Sequence, residues 1–387
     1  MFDHKHYVPI IPWKRGERIA LRELLDSDRE VIVPLIEISH DFVDKKPDFF
    51  ETGRFVHSML SEIASYWGDA PAFIDLHTLA RLSSTSVARH IETFFHYSAE
   101  AGLKLCPVLK LQPPGSYQEV ICKVIQSAQA MCLRLHVKDF EGDAITGRID
   151  QVLSRVKLPP SSVHLLMDLQ LINEESINSF ALYEKLPHLS AWNTVAVAAG
   201  SFPPDLSHLQ VGEHLVPRVE WQLWKRIAAS RHTSRIPLFG DYAVLHPFVR
   251  PNFPGMNISA SIRYTTDDYW VVMRGEGLRN EGGAGFDQYP ANAELLMLRQ
   301  EYRGHEFSYG DRYIFERPSK KENPGNPTTW IAAGVNHHIT FVARQMAMLY
   351  APSTETRPSD TRAVLDFQQQ LLPLKPAEVP ATPRRRR

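Results

Sequence analysis

Short apolar runs punctuate the chain as far as residue 245. They are Val8–Trp13, Val31–Glu37, Ala72–Leu76, Leu105–Leu111, Met131–Val137, Val163–Leu169, Thr194–Ala199 and Pro237–Val244. Each is rich in Val, Ile and Leu and mostly apolar on both alternating faces, the pattern of parallel strands covered by helices. Their starts lie about 23 to 43 residues apart, the length of one strand-plus-helix unit. The stretches between them read as helices: Arg18–Leu25, Arg54–Tyr66, Val87–Ala101, Tyr117–Ala130, Ile145–Val156, Glu174–Lys185 and Glu213–Ser230. This alternation predicts an α/β fold, a closed (β/α)8 TIM-like barrel with its core at about 7–245. An open doubly wound sheet is the rival. It would carry a Gly-rich turn after its first strand, and Trp13-Lys14-Arg15-Gly16-Glu17-Arg18 is not one.

After residue 245 the rhythm breaks. Ile258–Tyr264 and Tyr269–Met273 flank Thr265-Thr266-Asp267-Asp268 and read as a β-hairpin. Glu276–Tyr289 is Gly-rich and reads as a mobile loop, Ala291–Arg303 as a helix, Phe307–Glu316 as a strand, Pro318–Pro327 as a polar loop and Gly334–Tyr350 as a helix. Residues 1–350 are therefore expected to form one barrel domain, with a β-hairpin insertion and a C-terminal extension at 246–350 folded over its mouth. The tail, 351–387, is Pro-rich and ends in four arginines. It is expected to be largely disordered, with one short helix near Ala363–Leu372.

Composition narrows the class. The chain has 387 residues, 43% hydrophobic, and 43 Lys+Arg against 44 Asp+Glu. Balanced charge argues against a nucleic-acid footprint spread over the whole protein. The Arg384–Arg387 run is better explained as a solvated end than as a nucleic-acid contact. No apolar run approaches the ~18 residues of a membrane span, and Met1–His6 lacks the apolar stretch of a signal peptide. Three cysteines (Cys106, Cys122, Cys132) without a CxxC pair indicate a reducing, cytoplasmic setting.

Polar–apolar–polar triplets end five consecutive strands: Glu37-Ile38-Ser39, Asp75-Leu76-His77, Lys110-Leu111-Gln112, Arg134-Leu135-His136 and Asp168-Leu169-Gln170. Alternation along a strand puts both polar members on one face. In a parallel barrel they would ring the carboxyl-end mouth, where barrel enzymes keep their chemistry. Lys14 and Asp241 are placed to complete the ring. As a ligand pocket, the ring would use Lys110 and Arg134 to hold an anion, with Asp75 or Asp168 as base and Glu37 and His136 tuning it. Lys14, His77, Gln112, Gln170 and Asp241 would add ligand contacts. As a plug, the same charges would simply pair with one another and fix the barrel. No spacing motif points to a metal, although His77, His136 and an acid would suit one, and the sequence names no cofactor.

Two later motifs form a second candidate group. Phe307-Ser308-Tyr309-Gly310-Asp311-Arg312 holds Asp311, with an ordinary Gly-Asp turn as the competing explanation. Asn336-His337-His338 reads as a helix start, capped by Asn336, with only one of His337 and His338 able to face a pocket. Asp311 and that one histidine are expected to approach the barrel mouth.

At these residues the chain resembles the Beta protein family of phage and bacteria, the beta family proteins. The likeness rests on Tyr7-Val8-Pro9, Trp13-Lys14-Arg15-Gly16-Glu17 and Val33-Pro34-Leu35-Ile36-Glu37 at the start. It returns at the close in Ser308-Tyr309-Gly310-Asp311 and in Trp330, Gly334 and Asn336-His337-His338-Ile339-Thr340. It covers about residues 7–350. The resemblance implies a protein of mobile-element or antiviral defence neighbourhoods and brings no reaction or catalytic residues with it. Two functions are weighed. One is a hydrolase or phosphotransfer-type enzyme acting on a phosphate-bearing ligand, a nucleotide or nucleic acid. The other is a non-catalytic recognition or sensor module of a defence or toxin–antitoxin complex, binding a protein partner encoded nearby. Neither needs a membrane. A closed, fully paired ring favours the second.

Overall fold

The computed structural model describes residues 3–350 apart from 83–84, 114, 143, 176–179, 232, 249–256 and 321. The tail and its expected helix lie outside the described residues.

Eight parallel strands close into a barrel: β1 (Tyr7–Pro12), β2 (Leu35–Glu37), β3 (Ala72–Asp75), β4 (Leu105–Lys110), β5 (Met131–His136), β6 (Val163–Leu171), β7 (Thr194–Gly200) and, after an intervening strand, β9 (Leu238–Asp241). The TIM-like α/β architecture is thus as expected. That intervening strand, β8 (Gly212–Pro217), pairs antiparallel with β11 (Tyr269–Gly277), which pairs with β10 (Ser259–Thr265). Around the barrel run α1 (Arg15–Arg22), α2 (Asp26–Arg29), α3 (His40–Lys45), α4 (Pro47–Glu51), α5 (Arg54–Tyr66), α6 (Thr85–Glu100), α7 (Gly115–Ala128), α8 (Ile145–Val156), α9 (Phe180–Glu184) and α10 (Val219–Ala229). The extension adds α11 (Gln288–Met297), α12 (Tyr309–Glu316) and α13 (Pro327–Leu349).

The strand interior is filled in layers. Val8, Ile10, Leu35, Phe73, Val108, Cys132, Leu166, Ala196 and Leu238 pack against one another inside the barrel. Residues of opposite parity, such as Ile11, Ile36, Leu133, Leu165 and Val197, face the helices. Gly240 is required by this packing. A Cβ there would sit 2.9 Å from both the Ala198 Cβ and the Val8 carbonyl.

The helix that covers the wall between β9 and α1 is α13. It packs on α1 and β1, buries Val335, Ile339, Val342 and Met346 in the main core, and presents Trp330 and Ala333 to a second core. That second core holds Ile262, Tyr264, Val271 and Met273 from the small sheet with Tyr289, Leu296 and Ile314 from α11 and α12. The extension therefore completes the barrel wall beside α1. Asn336 Nδ2 donates to the Ala20 carbonyl, and Arg344 makes two hydrogen bonds with the Asp28 carboxylate, at 3.0 and 2.9 Å.

Several elements depart from the expected pattern. Residues 213–217 form a strand, so the expected Glu213–Ser230 helix begins only at Val219. Pairing with β11 takes those residues, and the Arg218 N–H donates to Asp268 O at the junction. The stretch expected as a strand, Phe307–Glu316, is helical from Tyr309, because Ser308 accepts from the Asp311 N–H as an N-cap and the buried positions Gly310, Asp311, Tyr313 and Ile314 follow a helical period. Asn336 is no cap. The cap is Asn326, with Pro327 in the first turn, which puts His337 and His338 mid-helix. The Gly-rich stretch contains a 3-10 turn at Gly285–Asp287 and runs straight into α11.

Candidate functional site

The carboxyl ends of β2 to β6 and β9 deliver Glu37, Asp75, Lys110, Arg134, His136, Asp168 and Tyr242 to one place. The barrel register sets Glu37 beside Asp75, Lys110 beside Arg134, and His136 beside Asp168. Arg134, 2% exposed, is the hub. Its Nε and Nη2 donate to Asp168 Oδ2 at 2.9 and 2.6 Å, and Nη2 also donates to Tyr242 Oη at 3.1 Å. Its Nη1 donates to Glu37 Oε1 at 2.5 Å and Asp75 Oδ2 at 2.9 Å. All five N–H groups of the guanidinium are thereby satisfied by the protein itself. Tyr242 also donates to Asp168 Oδ2 at 2.7 Å, Lys110 Nζ lies 3.4 Å from Asp75 Oδ2, and His136 Nε2 lies 3.4 Å from Asp168 Oδ2.

Electrostatics follow from that geometry. Burial opposes ionisation of Asp75, but Lys110, Arg134 and the His77 N–H outweigh it and hold the carboxyl well below the usual range. Asp168 is held low in the same way, by Arg134, His136 and Tyr242 against burial. Burial works against the charge on Arg134, yet Glu37, Asp168 and Asp75 keep it more firmly protonated than a free guanidinium. His77 is the opposite case: burial and the neighbouring Lys110 push it down to about 4, so it is neutral at pH 7.

Three aspartates near the carboxyl ends of their strands close their own turns. Asp75, Asp168 and Asp241 each accept, through Oδ1, the N–H two residues on, from His77, Gln170 and Ala243, all at 2.9 Å. Gln170 and Ala243 sit at φ +57° and +51°, so regular alternation is broken at both, by a bulge between Asp168 and Leu171 within β6 and by the end of β9. The third members of the triplets on β2, β3 and β4, Ser39, His77 and Gln112, lie past their strand ends. His77 and Gln170 are half-buried at the rim beside Glu37 and Lys110, while Gln112 is exposed.

Lys14 and Asp241 do not join the ring. Lys14 immediately precedes α1 and lines a neighbouring cavity. Asp241 points outward, because Leu238, Gly240 and Tyr242 carry the inward parity of β9. Tyr242 is the ring member that the sequence pattern missed. Its signal was available: counting inward positions from Leu238 reaches Tyr242, not Asp241.

The second candidate group forms its own buried network on the outer face. Asp241 accepts from Tyr7 Oη and from His338 Nε2, the latter at 2.8 Å. His338 Nδ1 meets Thr265 Oγ1 at 2.8 Å. Burial keeps His338 below its ordinary value although Asp241 opposes this. His337 lies 2.8 Å from Asp311 Oδ2 and 2.9 Å from the Thr265 carbonyl. Asp311 also accepts from Ser308 Oγ and Tyr264 Oη. Both histidines are fully buried, so neither faces a pocket, and Asp311, His337 and His338 bond within this outer network rather than to the Arg134 ring at the mouth. A carboxylate–imidazole–hydroxyl line exists in Asp241, His338 and Thr265. Thr265 is fully buried, which gives this line a structural role.

Among the described residues, no three or more His, Cys, Asp or Glu side chains are grouped to hold a metal ion. No helix among them is long and apolar enough to cross a membrane.

With the geometry in place, comparison with known proteins agrees with the opening and closing motifs. The family described as Beta protein matches residues 7–344, nearly the whole barrel and its extension. The chain belongs to the Beta protein family. No protein with a curated description matches it. The matched span runs from the first residue of β1 to Arg344 of α13, so the family's unit includes the helix that closes the barrel.

Proposed function

We propose that the chain is a recognition or sensor module of phage–host conflict, working through a bound partner or small ligand rather than through hydrolysis or phosphoryl transfer. The observation that carries this reading is the saturation of Arg134. An anion anchor needs N–H groups turned to the ligand, and here all five are spent on Glu37, Asp75, Asp168 and Tyr242. Asp75 and Asp168, held low by their cations, are poor bases.

The enzymatic reading keeps one specific support. Glu37, Lys110 and the neutral His77 lie half-buried at the rim, where a ligand can reach them. The test is the plating efficiency of phage on cells carrying the parent, Glu37→Gln or His77→Gln. A recognition module keeps its protection in both variants. Loss of protection in a variant that retains its melting temperature would transfer the function to those side chains as chemistry.

A further inference from the structure

We infer that a cavity beside the mouth, walled by α1, α3 and α5, binds an organic phosphate that carries a planar ring, the chemistry of a nucleoside phosphate. This site is separate from the Arg134 ring, and the inference stands whether or not the ring is a plug. The cavity has a volume of about 480 Å³, within the size range of small-molecule sites. It opens just past the carboxyl ends of β1 and β2, which contribute Trp13, Lys14 and Ser39. Loops at this end of a barrel are where such folds build their active sites.

Its charge is one-sided. Lys14, Arg15, Arg18, Lys45 and Lys46 line it, and the acid among the lining residues, Glu62, is already engaged. Glu62 Oε2 pairs with Arg18 Nη1 and accepts from Trp13 Nε1. Arg18 is held in place: its guanidinium carbon lies 5.8 Å from the Trp13 ring and 5.3 Å from the Tyr66 ring. Its Nε is buried, with no hydrogen-bond partner among the described residues. A guanidinium held between two aromatic rings and a carboxylate differs from a freely solvated surface arginine, because it is already oriented on the cavity wall when an anion arrives. Phe42 and Phe49 supply flat apolar surface on the same cavity, with Lys46 Nζ 5.7 Å from the Phe42 ring. Cations beside aromatic faces are what a base plus a phosphate requires.

The same chemistry is offered by a free nucleotide and by the 5′-phosphorylated end of a nucleic-acid strand. Calorimetric titration of the full chain with AMP, GMP, CMP and UMP tests the site. Adenosine, inorganic phosphate, and a trinucleotide with or without a 5′-phosphate are the comparison ligands. At least one monophosphate or the phosphorylated trinucleotide should bind saturably, with adenosine and phosphate each about tenfold weaker or more. Tighter binding of the phosphorylated trinucleotide than of any monophosphate identifies a strand end as the source, and the reverse order identifies a free nucleotide. The double variant Lys14→Gln, Lys46→Gln should lose about tenfold in affinity at an unchanged ligand-free melting temperature. Lys185→Gln, an exposed lysine elsewhere, should bind as the parent does. Absence of saturable binding by all the phosphorylated probes overturns the inference. So does binding that the double variant leaves intact.

Discussion

Five N–H groups leave the Arg134 guanidinium, and each ends on a side chain of the same barrel. Removing a buried partner of this kind strands the charges left behind. Arg134→Ala should cost about 3–5 kcal/mol, and Arg134→Met, which restores the stem packing but not the charge, should recover only part of it. Urea unfolding measures both, and parental stability in either would remove Arg134 as the hub. The titrating groups set a second expectation. Asp75 and Asp168 have depressed folded pKa values, so their stabilisation is present above the unfolded value of about 3.9 and is lost as pH falls through the folded values. Glu220 has the opposite sign. Its carboxyl is buried, accepts from Ser201 Oγ at 2.6 Å and is pushed up to about 7 by burial against the pull of Arg218. Its contribution is full below about pH 4.3 and declines as pH rises toward 7. Stability should therefore fall more steeply between pH 4.3 and 7 in the parent than in Glu220→Gln. Equal slopes would show that Glu220 ionises freely.

Two short elements hold the extension in place. Ser308 caps α12 through the Asp311 N–H and also donates to Asp311 Oδ2, so it ties the helix start to the His337 pair. Ser308→Ala should cost about 0.5–2 kcal/mol, toward the upper end because two bonds go at once. Gly310 is where α12 lies against α13: a Cβ there would come within 2.9 Å of His337 Cβ and closer still to the Ala333 carbonyl. Gly310→Ala must push the helices apart and should cost about 1–3 kcal/mol or more. Equilibrium denaturation of both variants separates a lost cap from a lost close approach. A neutral Gly310→Ala would contradict the observed helix spacing.

At the level of the whole molecule, α13 belongs to both cores. Trp330 and Ala333 face the small sheet, and Val335, Ile339 and Val342 face the barrel. Neither core can open without uncovering apolar surface of the other, so the two should unfold together. Far-ultraviolet circular dichroism and tryptophan fluorescence should give coincident thermal transitions. Two separated transitions would divide the barrel from its extension.

Periodicity by itself determined the barrel. Eight Val/Ile/Leu-rich runs spaced by helical stretches admit few other packings, since strands apolar on both faces must be covered on both sides. The ring of Glu37, Asp75, Lys110, Arg134 and Asp168 was equally legible, because alternation along a strand is local geometry. Tertiary structure decided everything that depends on where a strand ends and what meets it there. Asp241 and Tyr242 exchanged roles because the parity of β9 is set by packing inside the barrel. The stretch at 213–217 became a strand only because β11 was there to pair with it. Whether Arg134 reaches outward or inward is a matter of which carboxylates three other strands bring within 3 Å, and no single segment of sequence carries that information.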